Sequence, residues 1–151
     1  TDSNLPKQIS AITSVDTTWT WASGGAIGIY NAAYNVWFTS NASGNISAPD
    51  KFLMVCFDHA SGKQPRGSVI ATGSLTEVPG TWTVWSDGIC ISYVATSTIH
   101  SMSFDLKAFI RDAVERGVLT NSMYLHDVFA GFEIWSGGVG LTSSGFSAVV
   151  R

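Results

Sequence analysis

An all-β sandwich is the fold class that three features of the sequence predict. The chain has 151 residues, with 15 glycines, 6 tryptophans and only 13% charged residues. Its apolar residues fall mostly in short alternating or β-branched runs, a period that suits strands. Turn chemistry separates the runs, as in Ser23-Gly24-Gly25, Pro79-Gly80 and Asp87-Gly88. Sheets packed face to face satisfy all three features, and the length suits one domain over residues 1–151 with a core of its own. No linker, low-complexity tract or internal repeat divides it.

In chain order, strands are predicted at Ile9–Val15, Thr17–Trp21, Ala26–Thr39, Lys51–Asp58, Ser68–Ala71, Thr81–Trp85, Ile89–Ala95, Met123–Trp135 and Gly145–Val150. Asp87-Gly88 predicts a tight hairpin, because Asp-Gly suits the positive φ angles of a type I′ turn. One helix is expected near Phe104–Arg116, where Leu106, Phe109, Ile110, Ala113 and Val114 share a face at helical spacing. Ser103 is positioned to cap it, Asp105 and Arg116 complement its dipole, and Gly117 suits its end.

Composition excludes several functions. The formal net charge of −3 disfavours nucleic acid and anionic membranes as partners, since both are met by basic surfaces. No run reaches the length of a membrane-spanning helix, and the opening residues carry no leader pattern, which leaves export open because leaders are removed. No phosphate loop, dinucleotide fingerprint or nucleophile elbow is present. His59, in the stretch Asp58-His59-Ala60-Ser61-Gly62, reads as a loop residue; His100 precedes the helix, and His126 alternates away from Glu133. No pair has metal-ligand spacing, so neither metal nor cofactor is expected. Cys56 and Cys90 exclude a zinc finger or a Cys-x-x-Cys redox pair by spacing, and a single disulfide between them requires neighbouring strands. Asn41-Ala42-Ser43 and Asn45-Ile46-Ser47 are two glycosylation sequons in one Gly/Ser/Asn-rich turn.

Several segments carry a family resemblance. Val128-Phe129-Ala130-Gly131-Phe132-Glu133-Ile134-Trp135-Ser136-Gly137 resembles the acid/base strand of glycoside hydrolase family 12, the small β-jelly-roll endoglucanases and xyloglucanases. Asp50-Lys51-Phe52-Leu53-Met54-Val55-Cys56 is similar to its nucleophile strand, and Ala33-Tyr34-Asn35-Val36-Trp37-Phe38-Thr39 to its Ala-Tyr-Asp-x-Trp-Phe strand. Lys7–Ile12, Thr17–Trp21, Trp82–Trp85, Ser92–Ala95 and Phe104–Phe109 follow the family in the same order. The resemblance implies an antiparallel two-sheet β-jelly-roll with the helix on its convex side. Family members carry further strands ahead of the stretch beginning at Lys7, so the resemblance describes an N-terminally shortened relative. It also implies secretion, which the sequons support, and two free, mostly buried thiols, because Cys56 falls at a cleft-facing Trp position.

The departures fall in the cleft. Glu133 matches the acid/base, but the nucleophile position holds Phe52, and the Asp that tunes the nucleophile corresponds to Asn35. A Gln common in the family is replaced by Phe129. Retaining glycosidases need two carboxyl groups flanking the bond, and neither a phenyl ring nor an amide supplies one. Alternation groups Phe52, Met54, Cys56 and Asp58 on one face, and Asp127, Phe129, Gly131, Glu133 and Trp135 on another. Phe52 and Glu133 are therefore expected to face each other from neighbouring strands across one concave surface. Asp58 and Asp127 each lie six residues from the position they would have to complement.

Three functions follow. The first is a catalytically impaired family relative acting as a β-glucan or xyloglucan binder, or as a decoy for a protein inhibitor of glucanases. Asn35 and Glu133 would bond hydroxyls there, while aromatics such as Trp21, Trp37, Trp85 and Trp135 stack on sugar rings. The second is binding or acid-catalysed rearrangement of an apolar small molecule among Phe52, Met54 and Phe129. The third is an active endo-β-1,4-glucanase or xyloglucanase. Packing alone is a further role for Phe52. Exposed sheet edges invite a homodimer.

Overall fold

The computed structural model describes residues 4–59 and 63–151. Among the described residues, ten strands form two sheets: β1 (Lys7–Gln8), β2 (Val15–Ala22), β3 (Gly28–Thr39), β4 (Lys51–His59), β5 (Ser68–Leu75), β6 (Val78–Ser86), β7 (Cys90–Ala95), β8 (Ser101–Asp105), β9 (Tyr124–Gly137) and β10 (Thr142–Val150). The larger sheet runs β1-β9-β3-β4-β7-β6-β5, and the smaller runs β10-β2-β8. All pairs are antiparallel except β4 with β7, which are parallel. The hairpin β5–β6 separates those two in sequence, so β7 returns beside β4 in the same direction.

Strand β3 shows how the sandwich is specified. Its even-numbered residues Ala32, Tyr34, Val36 and Phe38 are fully buried between the sheets. Its odd-numbered residues, from Asn31 to Trp37, face the opposite side of the large sheet. The small sheet covers one half of the core face through Trp19, whose ring meets Tyr34 at 5.7 Å and Phe57 at 5.6 Å. Helix α1 (Lys107–Glu115) covers the other half. Phe109 packs edge-on against Trp82 of β6 at 5.0 Å and against Tyr93 of β7 at 4.9 Å. Phe104 links both halves, 5.3 Å from Tyr34 and 5.7 Å from Phe109. The helix thus lies on the convex side, opposite the groove.

The structure departs from local sequence patterns where a partner strand intervenes. Ile9–Ala11 forms a single 3-10 turn instead of opening a strand. Ser101–Asp105 is a strand, which consumes the start of the expected helix: Phe104 pairs with Thr17, and Ser103 bonds Thr18 rather than capping. Asp105 accepts from Lys107 N–H at 2.9 Å and from Val15 N–H at 2.8 Å, tying the helix start to β2. Pro79-Gly80 lies inside β6 and not in a turn. Asp87-Gly88 does connect β6 to β7, but only Gly88 has positive φ, so the turn is not type I′. The Asp87 carboxylate instead accepts from the N–H groups of Ile89 and Cys90 at 2.9 and 2.7 Å. Gly117 closes α1 at φ 76°, as expected.

Phe109→Ala should destabilise the fold by about 3–5 kcal/mol, because it removes the ring that joins helix to sheet. Ser103→Ala should cost under about 0.5 kcal/mol, since its hydroxyl is exposed and caps nothing. Urea denaturation of the two variants checks the contrast.

Candidate functional site

The convergence of β9, β3 and β4 builds a groove floor whose rows run across the strands. Paired residues on adjacent strands share a face. The rows are Glu133–Asn31–His59, Gly131–Ala33–Cys56, Phe129–Asn35–Met54 and Asp127–Trp37–Phe52. Through β7 and β6 the third row continues to Ser92 and Trp85. Glu133 and Phe52 therefore share the groove face, with Met54 beside Phe52, as alternation predicts. They are not on neighbouring strands: β3 lies between β9 and β4. Along β3 their rows are six residues apart, at Asn31 and Trp37, and the curvature of the sheet narrows the gap, since the Glu133 charge reaches Cys90, which pairs with Phe52.

Glu133 is held by a residue that sequence reasoning passed over. Asn31 Nδ2 donates to Glu133 Oε2 at 2.5 Å, and Glu133 N–H donates to Asn31 Oδ1 at 3.2 Å. This reciprocal pair fixes the carboxylate on the groove face. Asn31 is itself almost wholly buried, so its amide is spent on Glu133. Its position four residues before Asn35, on the same face of one strand, was the available signal.

The opposite end of the groove is aromatic. Trp37 stands edge-on between Phe129 at 5.0 Å and Phe52 at 6.4 Å. Phe52 is thus outside the core but packed against Trp37. Between the two ends, Ala33 and Cys56 are closed off from solvent, whereas a side chain placed on Gly131 would meet nothing within 4 Å. Space for a side chain therefore exists over Gly131.

Both thiols are free and buried. Their strands are neighbours, but Cys90 lies opposite Phe52, and four residues of β4 separate Phe52 from Cys56. That is roughly 13 Å at strand rise, beyond the ~7 Å Cα separation a disulfide tolerates. Burial, and then the Glu133 charge, push the Cys56 thiol well above its usual range, so it is no thiolate nucleophile. Burial also raises Cys90, opposed by its hydrogen bond with Ser92.

Three candidate residues lie elsewhere than expected, Trp21 in the core and Asp58 and Trp135 off the alternation pattern. Trp21 is 2% exposed and donates Nε1–H to Ile99 O, so it is a core residue and no stacking platform. Asp58 leaves the Phe52 face: a bulge pairs Ala33 with Cys56 and Ala32 with Asp58, and Asp58 accepts from Thr98 Oγ1 at 2.9 Å. Trp135 sits at a second bulge, between the pairs Tyr30–Ile134 and Ile29–Ser136, which interrupts its grouping with Glu133. Its ring is 46% exposed and lies 5.7 Å from Lys63 Nζ. His126 occupies a third bulge. Its Nε2 is buried without a hydrogen-bond partner among the described residues.

The site is thus a carboxylate clamped in the groove of the large sheet of a β-sandwich, with a row of aromatic rings on the same face. The chain belongs to glycosyl hydrolase family 12, whose model matches residues 1–151. It is 33% identical to a protein of Mycobacterium tuberculosis named probable cellulase Cel12b, over 98% of both chains. It is 34% identical to the xyloglucan-specific endo-β-1,4-glucanase A of Emericella nidulans, covering 95% of this chain and 61% of that one. Among solved structures, endoglucanase Cel12A from Rhodothermus marinus superposes with a TM-score of 0.90 at 40% identity, over 100% of this chain and 68% of that one. The chain thus spans nearly all of the mycobacterial relative but only about two thirds of the latter two.

Asn31→Leu should cost about 1–3 kcal/mol, because it strands the Glu133 carboxylate and N–H in a partly buried site. Glu133→Gln keeps an acceptor for Asn31 and should cost less than about 1 kcal/mol. Chemical denaturation of both variants tests the clamp.

Proposed function

We propose that the chain is a family 12 protein without appreciable glycosidase turnover, whose groove binds β-1,4-glucan or xyloglucan chains. The carrying observation is Phe52, which stands in the groove row where the family resemblance puts the nucleophile. Trp37 beside it presents an edge-packed ring, and Asn35 replaces the carboxyl that would tune the nucleophile. Glu133 alone supplies at most the acid half of the reaction, and such assistance contributes only about 10²–10⁴-fold. The same surface suits a decoy that occupies a protein inhibitor of glucanases. Export from the cell belongs to this reading. It is supported by Asn41 and Asn45, both in the exposed β3–β4 turn, with side chains folded onto the N–H groups of Ser43 and Ser47.

One observation favours a second reading, an active glucanase. Asp127 occupies the same row as Phe52, across Trp37, so a second carboxylate stands on the groove face, six residues from Glu133 along β9. Retention would require the two carboxyl groups to come within about 5–5.5 Å, and inversion about 6.5–9.5 Å with a water between them.

Purified protein assayed on β-glucan, carboxymethyl cellulose and xyloglucan should show no turnover above a trace. Phe52→Glu with Asn35→Asp should recover weak activity at best. Robust hydrolysis by the unmodified chain, lost in both Asp127→Asn and Glu133→Gln, would establish the second reading. For binding, calorimetry with cello- and xylogluco-oligosaccharides should give heats that Gly131→Phe abolishes by filling the space over Gly131. Uptake of apolar metabolites with no sugar binding would overturn the glycan assignment.

A further inference from the structure

His59 enters the groove through a change of phase in β4. Uninterrupted alternation would place it with Leu53, Val55 and Phe57, away from the groove. The bulge opposite Ala32 inserts one residue, so that Asp58 pairs with Ala32 and His59 with Asn31. Asn31 pairs on its other side with Glu133, and its side chain bonds the Glu133 carboxylate. His59 therefore shares the face that carries Glu133. Bulges re-aim side chains in this way and recur beside functional sites.

Three consecutive strands thus set Glu133, Asn31 and His59 in one polar row. With strands about 4.8 Å apart, the backbones of Glu133 and His59 stand roughly 10 Å from each other. Glu133 and His59 stand on either side of Asn31, one row from the space over Gly131. The buried Asn31 amide is committed to Glu133. The half-buried imidazole of His59 has no hydrogen-bond partner among the described residues. A carboxylate only accepts, whereas a neutral imidazole both donates and accepts. A polyhydroxylated ring complements that pair, its hydroxyls donating a hydrogen bond to Glu133 and donating to or accepting from His59. An apolar ligand would leave the row unused.

We propose that His59 is a ligand-binding residue of the groove, holding the hydroxyls of a sugar ring from the side opposite Glu133. The inference deepens the glycan-binding reading and rests on it. Calorimetric titration of the intact protein with cellotetraose and with a xyloglucan heptasaccharide tests both separately. His59→Ala should weaken binding by about 5–30-fold, the loss expected for one or two hydrogen bonds. His59→Gln, which keeps a donor and an acceptor, should recover part of it. Asp58→Ala, one residue away but turned out of the groove, should bind as the unmodified chain does. In the unmodified protein the His59 ring signals in ¹H–¹³C NMR spectra should move during titration, a readout independent of any variant's folding. Failure of the unmodified protein to bind either sugar would overturn the glycan reading and this inference with it. Sugar binding with a stationary His59 signal and undiminished affinity in His59→Ala would overturn the role of His59 alone.

Discussion

The period-two alternation of β3 is the constraint on which both the core and the groove depend. One face of this strand supplies Tyr34, Val36 and Phe38, each fully buried, and the other supplies Asn31, Ala33, Asn35 and Trp37. Because β3 is paired on both sides, by β9 and β4, its register also decides which residues of those strands meet in the groove. A slip of one residue would send Glu133 into the core and Tyr34 into solvent. The aromatic chain from Trp19 through Tyr34 and Phe104 to Phe109 prevents that slip, since its members interlock edge to face. Stability and site geometry therefore share one origin.

The groove has two chemically distinct ends on a floor of small side chains. Glu133 and His59 flank the buried Asn31 in a polar row, and Trp37, Phe52 and Phe129 offer ring surfaces in the aromatic one. A sugar ring presents both kinds of surface, with polar edges and apolar faces. Family 12 membership and the relatives named cellulase and xyloglucanase agree with a glycan as the ligand class. At the position where the family resemblance puts the nucleophile, Phe52 adds its ring to the aromatic row and carries no charge, which is the ground for proposing binding over turnover.

Much of this was legible in the sequence because it is local. Alternation in Lys51–Cys56 and in Asp127–Glu133 assigned faces correctly, and helical spacing identified the buried face of α1. The identity of each groove residue, Phe52 and Asn35 above all, is a fact of sequence alone. The strand at Ser101–Asp105 was missed because Ser103, Phe104 and Asp105 also suit a helix start, and only pairing with β2 decides between the two. The parallel pairing of β4 with β7 likewise joins strands separated by a hairpin, which no local pattern encodes.

Tertiary structure decided the rest through the bulges. The bulges in β4 and β9 each reverse the phase of alternation beyond them, and periodicity read from one strand cannot detect an extra residue that exists only relative to its partner. This took Asp58 out of the groove, brought His59 in and interrupted the expected face at Trp135. The Asn31–Glu133 clamp joins residues 102 positions apart, so it too exists only once β3 and β9 are paired. The sequence by itself determined which chemical groups the groove strands carry; the pairing of the strands decided which of those groups meet, because register is a relation between strands and not a property of either one.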